Sequence, residues 1–195
     1  RTGIWVETLS NSEQRFLDYK SFASKGETFR RIIEEKTAIL DIGGGSIQIS
    51  LFDKDTLVST QNLRLGVLRL QELLNHLNAG STQMERLVDE LATAQLDDYK
   101  KLYLKDREIK NIIIVDDYLS PWAVRKAHER GEVNAVVDRK AFSQLMEALR
   151  TKGTTELAKR MDIAEEKVPL GYISALLTRR SAQLLGADVV CAPVG

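Results

Sequence analysis

The stretch LDIGGGSIQIS, from Leu40 to Ser50, decides the fold of this chain. An apolar segment leads into Asp41, then into three consecutive glycines and Ser46, and an alternating polar and apolar segment follows. Alternation with a period of two is typical of a β-strand that is buried on one face. We therefore predict a β-hairpin with glycines at its turn. Glycine permits the positive φ angles of a tight turn, and three missing side chains suggest a ligand that approaches the backbone closely.

The patterns on either side of this hairpin predict an α/β layout with a mixed sheet. Residues 36–64 should form a three-strand antiparallel meander that is followed by a helix. That helix has apolar residues at helical spacing, namely Val67, Leu70, Leu73, Leu74 and Leu77. Thr82 and Glu85 form a candidate capping box for a long helix that runs to about Tyr103.

The second half of the chain continues this layout. The apolar run from Asn111 to Val115 predicts an interior parallel strand. Four helices are expected: one with Ser120 as N-cap, one after Asp138, one at TTELAKRM (Thr154–Met161), and one that begins at Val168 and ends at Gly186. The very short strand AVVD, which ends at Asp138, and a last apolar strand after Gly186 complete the prediction.

Composition excludes several classes of protein. The 195 residues carry a formal net charge of +0, so bulk electrostatics support neither a nucleic-acid partner nor a membrane partner. No apolar run approaches the length of about 20 residues that a membrane-spanning helix needs. A single cysteine, Cys191, cannot form an intrachain disulfide, which favours a reduced, cytoplasmic compartment. We expect both ends of the chain to be cut from a longer protein.

The residues around the glycines suggest a phosphate site. Consecutive N–H groups without side chains can converge on an anion, and Ser46 adds a hydroxyl donor. Asp41, at the end of a buried strand, could hold a metal ion or orient an attacking water. The alternative is a purely structural turn. The stretch is not a Walker A loop, since no Lys-Ser/Thr follows, and not a dinucleotide fingerprint, since a strand follows.

Three segments resemble the exopolyphosphatase and guanosine pentaphosphate phosphohydrolase (Ppx/GppA) family. They are AILDIGGGSIQISLF with NLRLGVLRLQELL, the earlier TGIWVETLSNSEQRFL, and VPLGYISALLTRRSAQLLGADVVCAPVG near the end. The family pattern at the first segment is Asp-Ile-Gly-Gly-Gly-Ser-Thr-Glu between two strands, followed by Leu-Gly-x-Val-Arg-Leu. The resemblance therefore covers the beginning and the end of the chain and is mainly topological in between.

The resemblance implies an actin-like, ribonuclease H-like ATPase fold, in which two lobes close over a phosphate chain. Residues 1–35 would connect to an absent first lobe, and residues 36–195 would form the second lobe. It further implies hydrolysis of a terminal phosphoanhydride bond in polyphosphate or a phosphorylated guanosine nucleotide, with Mg²⁺ as cofactor. The implied phosphate-binding residues are Asp41, Gly43, Gly44, Gly45, Ser46 and Arg69, and Asp41 is the candidate Mg²⁺ ligand. The resemblance leaves open whether the protein forms a homodimer.

The chain departs from the family at its two key glutamates. They map to Gln14 and Gln48, and glutamine cannot act as a general base near neutral pH. A one-residue shift would place Glu13, rather than Gln14, at the first position. The departure predicts a catalytically degenerate hydrolase. The alternatives are an active hydrolase, a non-catalytic phosphate- or nucleotide-binding or regulatory module of the same fold, and a sugar- or acetate-kinase-like ATPase.

A third departure is the segment VDDYLSP. The family has a second glycine-rich turn with threonine here, whereas this chain has Asp116, Asp117 and Tyr118. These residues would repel and crowd a phosphate chain. We expect the aspartate pair to lie in a solvated loop that caps a helix. Arg69 is either a phosphate contact or a surface charge.

Overall fold

The computed structural model describes residues 35–54, 56–78, 80–131, 135–187 and 189–192. The strands are β1 (Lys36–Ile42), β2 (Ile47–Asp53), β3 (Thr56–Leu63), β4 (Asn111–Val115), β5 (Ala135–Val137) and β6 (Val189–Ala192). The helices are α1 (Val67–His76), α2 (Ser81–Tyr99), α3 (Ser120–Glu129), α4 (Arg139–Thr151), α5 (Thr154–Met161) and α6 (Val168–Leu185). A π-helical turn, Lys100–Leu104, extends α2, and a 3₁₀ turn, Glu165–Lys167, precedes α6.

The predicted meander is confirmed. β1 pairs antiparallel with β2, and β2 pairs antiparallel with β3. Leu40 lies opposite Ile49, and Asp41 lies opposite Gln48. Side chains alternate between the two faces of a strand, so Asp41 and Gln48 share the face that Leu40 and Ile49 do not occupy. A register shift at Leu51/Phe52 interrupts the pairing of β2 with β3.

The sheet is mixed, with the strand order β3-β2-β1-β4-β6-β5. β4 pairs parallel with both β1 and β6, and β5 pairs antiparallel with β6. Ile112, Ile113 and Ile114 are all 0% exposed, so both faces of β4 are covered. This confirms the interior parallel strand that the continuous apolar run predicts.

The apolar core lies between the sheet and the helices. Leu40 and Ile49 from the sheet belong to the same cluster of buried residues as Leu70 of α1, Leu96 of α2 and Leu176 of α6. α6 is buried along most of its length and packs against both α1 and α2. Among the described residues, no helix is long and apolar enough to cross a membrane.

Most of the predicted helix ends are confirmed. The Asp138 side chain accepts a hydrogen bond from the N–H of Lys140 at 3.2 Å and so caps α4. Gly186 ends α6 with a φ of 68°, in the left-handed region that glycine tolerates best.

Other details of the sequence prediction are wrong. α2 begins after Gly80 without a side-chain cap, and Glu85 pairs with Arg150 of α4 instead of closing a capping box. Ser120 is the first residue of α3 rather than its N-cap. Leu73 and Leu77 of α1 are 39% and 47% exposed, so the buried stripe of this helix is narrower than its spacing suggested.

Candidate phosphate-binding turn

The candidate site is the glycine turn, Gly43–Ser46, which joins β1 to β2. Because β1 and β4 run parallel, their carboxyl ends meet at the same edge of the sheet. The loop that follows β4, which begins at Asp116, therefore lies at the same edge as the glycine turn. Carboxyl ends of parallel strands are the usual place for ligands in open α/β sheets.

The carbonyl groups of the turn bind the first turn of α1. The N–H of Val67 donates to the carbonyl of Gly43 at 3.0 Å. The N–H groups of Leu68 and Arg69 both donate to the carbonyl of Gly44, at 3.1 and 3.2 Å. The first N–H groups of a helix have no partner within the helix, and α1 lacks a side-chain cap. The glycine turn supplies that cap.

The Arg69 side chain adds a fourth hydrogen bond to the carbonyl groups of the turn. Its Nε donates to the carbonyl of Gly45 at 3.2 Å, and its side chain is exposed. The arginine therefore holds the turn from the side of α1. Direct contact between Arg69 and a phosphate group stays a prediction.

The amide groups of the turn point the other way. In a planar trans peptide the C=O and N–H groups point in opposite directions, and none of the described peptide bonds is cis. Since the carbonyls of Gly43, Gly44 and Gly45 face α1, the next N–H groups, of Gly44, Gly45 and Ser46, face away from it. None of these three amides donates to another described residue. Three consecutive donors on one side of a turn can form an anion-binding concavity, and binding of an anion by these amides stays a prediction.

Different physical reasons explain why glycine stands at each of these positions. A Cβ added to Gly66, the residue before α1, would lie 2.1 Å from the carbonyl oxygen of Gly44. A Cβ on Gly44 would lie 2.8 Å from Leu68, but a Cβ on Gly45 would meet nothing within 4 Å. Close packing against a backbone carbonyl therefore explains Gly66. The contact at Gly44 is with the flexible end of the exposed Leu68 side chain, and packing in the described part of the chain does not explain Gly45.

The turn does not use the conformational freedom of its glycines. None of its three glycines has a positive φ. The turn is shaped by its contact with α1 instead. Sequence reasoning also missed Gly66, although a glycine directly before a helix, where a capping side chain is common, was a usable signal.

Asp41 and Gln48 lie next to each other at the base of the turn. They are directly opposite in the β1–β2 register, where Cβ atoms are about 5 Å apart. Both side chains are half-buried. One carboxylate beside an amide oxygen fits a Mg²⁺ ion whose other ligands are waters and phosphates. The described residues contain no cluster of three or more histidine, cysteine or acidic side chains that could hold a metal without such help.

Asp116 does not lie in a solvated loop, contrary to expectation. It is 4% exposed, and its carboxylate accepts hydrogen bonds from the N–H groups of Tyr118 and Leu119, at 3.2 and 2.7 Å, and from the hydroxyl of Ser174. Burial raises the pKa of Asp116 to about 6, while these hydrogen bonds oppose the shift. Asp116 therefore anchors the loop to α6, and its neighbour Asp117 is exposed.

The other predicted site residues cannot be placed. Gln14 and Glu13 lie outside the described residues, as does nearly all of the predicted connecting segment, 1–35. Among the described residues, the structure thus brings together Asp41, Gln48, the glycine turn and Arg69.

Several solved structures share this fold. A Ppx/GppA family member from Aquifex aeolicus has a TM-score of 0.69 at 13% identity, covering 93% of this chain and 57% of that chain. An exopolyphosphatase from Cytophaga hutchinsonii has a TM-score of 0.65 at 15% identity, covering 82% and 53%. An exopolyphosphatase-like protein has a TM-score of 0.59 at 13% identity, covering 82% and 54%. The chain thus spans just over half the length of these structures.

These likenesses confirm the predicted fold, that of one lobe of an actin-like, two-lobe protein of the Ppx/GppA type. No family model matches the sequence, and no curated protein matches it. The division of the chain at residue 35 stays a prediction.

The contact between the turn and α1 predicts a large effect of Gly66→Ala. The added Cβ would collide with a backbone carbonyl that cannot rotate away, and such overpacking costs about 2 kcal/mol or more. Gly80→Ala is the matched control, since Gly80 also precedes a helix but an added Cβ meets nothing there. We expect it to cost less than about 1 kcal/mol. Chemical denaturation measures both, and equal costs would contradict the packing role of Gly66.

The buried carboxyl of Asp116 predicts a pH dependence of stability. Its pKa is raised in the folded state from 3.8 to about 6, so the folded state binds the proton more tightly. The free energy of unfolding should therefore fall as pH rises through this window and level off above it. Relative to Asp116→Asn, wild type should lose about 2 kcal/mol between pH 4.5 and pH 7.

Denaturant titrations of both proteins across this range measure that difference. Ser174→Ala removes a hydrogen bond that lowers the pKa of Asp116, so it should move the midpoint to higher pH. A difference between wild type and Asp116→Asn that does not change with pH would contradict the assignment.

Proposed function

We propose that the glycine turn binds a phosphate group of a polyphosphate or phosphorylated nucleotide, and that this chain is the phosphate-binding lobe of a Ppx/GppA-type protein. The observation that carries the proposal is the direction of three successive amides, which face away from α1 while their carbonyls cap it. The absence of a packing reason for Gly45 supports it, because a side chain there would occupy the space of the ligand.

The helix strengthens this site without touching the ligand. The N-terminus of an α-helix carries a partial positive charge, and it faces the carbonyl oxygens of the turn. The peptide units of the turn are therefore aligned head to tail with the dipole of α1. Their N–H groups present the positive end of this array to an anion.

Asp41 and Gln48 define the chemistry below the turn. Asp41 would hold a Mg²⁺ ion together with phosphate oxygens, and the metal would supply charge neutralisation. The amide of Gln48 can accept a hydrogen bond from water but cannot remove a proton from it. We therefore propose that the protein kept substrate binding and lost most hydrolytic activity. The single cysteine makes a reducing, cytoplasmic compartment part of the same proposal.

Gly45→Val should abolish pyrophosphate binding without unfolding the protein. The valine side chain would project where protein packing leaves room but where the proposal places the phosphate. Gly153→Val is the matched control, because Gly153 also lies in open space but outside the turn. Calorimetric titration of the intact protein with pyrophosphate and Mg²⁺ measures both. Unchanged binding by Gly45→Val, with its melting temperature preserved, would contradict the turn as the phosphate site.

Loss of the general base predicts that carboxylates should restore activity. Unmodified protein should release little phosphate from polyphosphate, and Gln14→Glu with Gln48→Glu should raise the rate about 10²-fold, the low end for a general base. Gln144→Glu adds a carboxylate at an exposed position of α4 and should change nothing. A colorimetric phosphate assay with Mg²⁺ measures all three.

Two of the alternatives, an active hydrolase and a non-catalytic module, give different results in this assay. Rapid Mg²⁺-dependent release by unmodified protein would show an active hydrolase in which Glu13 or Asp41 supplies the carboxylate, and Glu13→Gln or Asp41→Asn would then abolish it. Phosphate binding with no release by any of these variants would indicate a binding or regulatory module.

A further inference from the structure

A pocket lies between α4 and α6. It has a volume of about 550 Å³, within the usual range of roughly 300–1,000 Å³ for small-molecule sites. None of the described residues that line it belongs to the glycine turn, to α1 or to the loop after β4. Its main lining side chains are Arg139, Phe142, Met146, Arg150, Thr178 and Arg179, and we call it the α4–α6 pocket.

The lining of this pocket combines arginines with apolar side chains. Three arginines line it, and none of its described lining residues is acidic. Phe142 and Met146 supply the apolar part, together with the small side chain of Ala182. A ligand that matches this lining has a negatively charged group attached to a compact apolar body.

Acidic residues behind the pocket hold two of the arginines in place. Arg150 donates from Nε and Nη2 to the carboxylate of Glu85, at distances of 3.0 to 3.2 Å. Arg179 lies 3.6 Å from Glu85 and 3.4 Å from Asp89. The hydrogen bond from Arg150 lowers the pKa of Glu85, so this carboxyl is ionised at neutral pH. Glu147 faces Nη1 of Arg150 at 3.6 Å.

This arrangement orients the guanidinium groups before any ligand arrives. A guanidinium has five N–H donors. The bidentate contact with Glu85 uses one edge of Arg150, and Glu147 lies 3.6 Å from Nη1, beyond hydrogen-bond distance. Fixed arginines lose little conformational freedom when they bind an anion, and their planar fork matches phosphate geometry.

Thr178 provides an independent indication of a ligand. The residue is 1% exposed and lines the pocket, and its hydroxyl has no hydrogen-bond partner among the described residues. Buried hydroxyl groups are nearly always hydrogen-bonded, because an unpaired one is unfavourable. Its oxygen is shielded from solvent, so a polar ligand atom in the pocket would satisfy it once the adjoining side chains move aside.

We propose that the α4–α6 pocket binds a small phosphate monoester with an apolar body, at a site separate from the glycine turn. The phosphate would contact Arg139, Arg150 and Arg179, and Phe142 and Met146 would contact the apolar body. Thr178 would hydrogen-bond an oxygen between the two parts. An occupant of this pocket would contact both α4 and α6, and α6 carries Ser174, which binds the Asp116 loop at the edge of the sheet.

Phenyl phosphate is a suitable probe, since it combines a phosphate with a flat apolar ring. Its binding to the intact protein can be followed by calorimetry, with phenol and benzoate as the neutral and carboxylate counterparts. We expect saturable binding at millimolar concentration. Thr178→Val should weaken it about fivefold through one lost hydrogen bond, and Arg139→Gln about tenfold through a lost charged contact.

Three control variants test whether the probe occupies this pocket rather than another surface of the protein. Arg125→Gln removes the same charge from the exposed surface of α3 and should leave the affinity unchanged. Gly45→Val should also leave it unchanged, because the glycine turn is a different site. Ser143→Trp, at an exposed position of the pocket lining, should abolish binding by filling the mouth of the pocket.

Several results would overturn the proposal. They are the absence of phenyl phosphate binding, tighter binding of phenol or benzoate than of phenyl phosphate, and affinities that Ser143→Trp and Thr178→Val leave unchanged. Loss of binding in Gly45→Val would assign the probe to the glycine turn instead. Melting temperatures of the variants show whether each is folded, and Arg139→Gln, at an exposed position, keeps the test decisive if Thr178→Val is unstable.

Discussion

The rest of this site depends on one contact, between the carbonyl groups of the glycine turn and the first N–H groups of α1. The helix needs acceptors at its N-terminus and has no capping side chain. The turn supplies them from Gly43 and Gly44, at 3.0 to 3.2 Å. Planarity of the peptide then fixes the opposite direction for the amides of Gly44, Gly45 and Ser46. The need of the helix for acceptors at its N-terminus thus determines the direction in which the amides of the turn point.

This arrangement differs from the familiar anion site at a helix N-terminus. There the ligand contacts the helix N–H groups directly. Here the peptide units of the glycine turn lie between the N-terminus of α1 and the proposed anion. The turn can approach the helix only because a Cβ is missing at Gly66, where it would lie 2.1 Å from a carbonyl oxygen. These peptide units transmit the helix dipole through aligned hydrogen bonds, which polarise one another. Asp41 and Gln48 are paired directly below the turn, and under the proposed function they would determine what happens to a bound phosphate.

The sequence predicted the local pattern well and the contacts between elements poorly. The alternation around the glycines predicted the meander, because a strand buried on one face alternates apolar and polar residues. The continuous apolar run at Ile112–Ile114 predicted a strand buried on both faces. No local sequence pattern predicts the burial of Asp116, because its partner Ser174 is 58 residues away. The role of Gly66 depends equally on a contact across the fold. Glu85 matched a capping box by spacing, yet Arg150 is a stronger partner because two charged groups meet there in bidentate geometry.

The central claim is that the amides of Gly44, Gly45 and Ser46 bind phosphate. Backbone amide chemical shifts of the ¹⁵N-labelled intact protein, followed during titration with pyrophosphate and Mg²⁺, test it most directly. The account predicts saturable downfield proton shifts at these three amides, with one common dissociation constant, and small shifts at Val67 and Leu68, whose N–H groups stay bound to the turn. Shifts at Val67 and Leu68 that exceed those of the turn amides, or no shifts in the turn when pyrophosphate binds elsewhere, would contradict it.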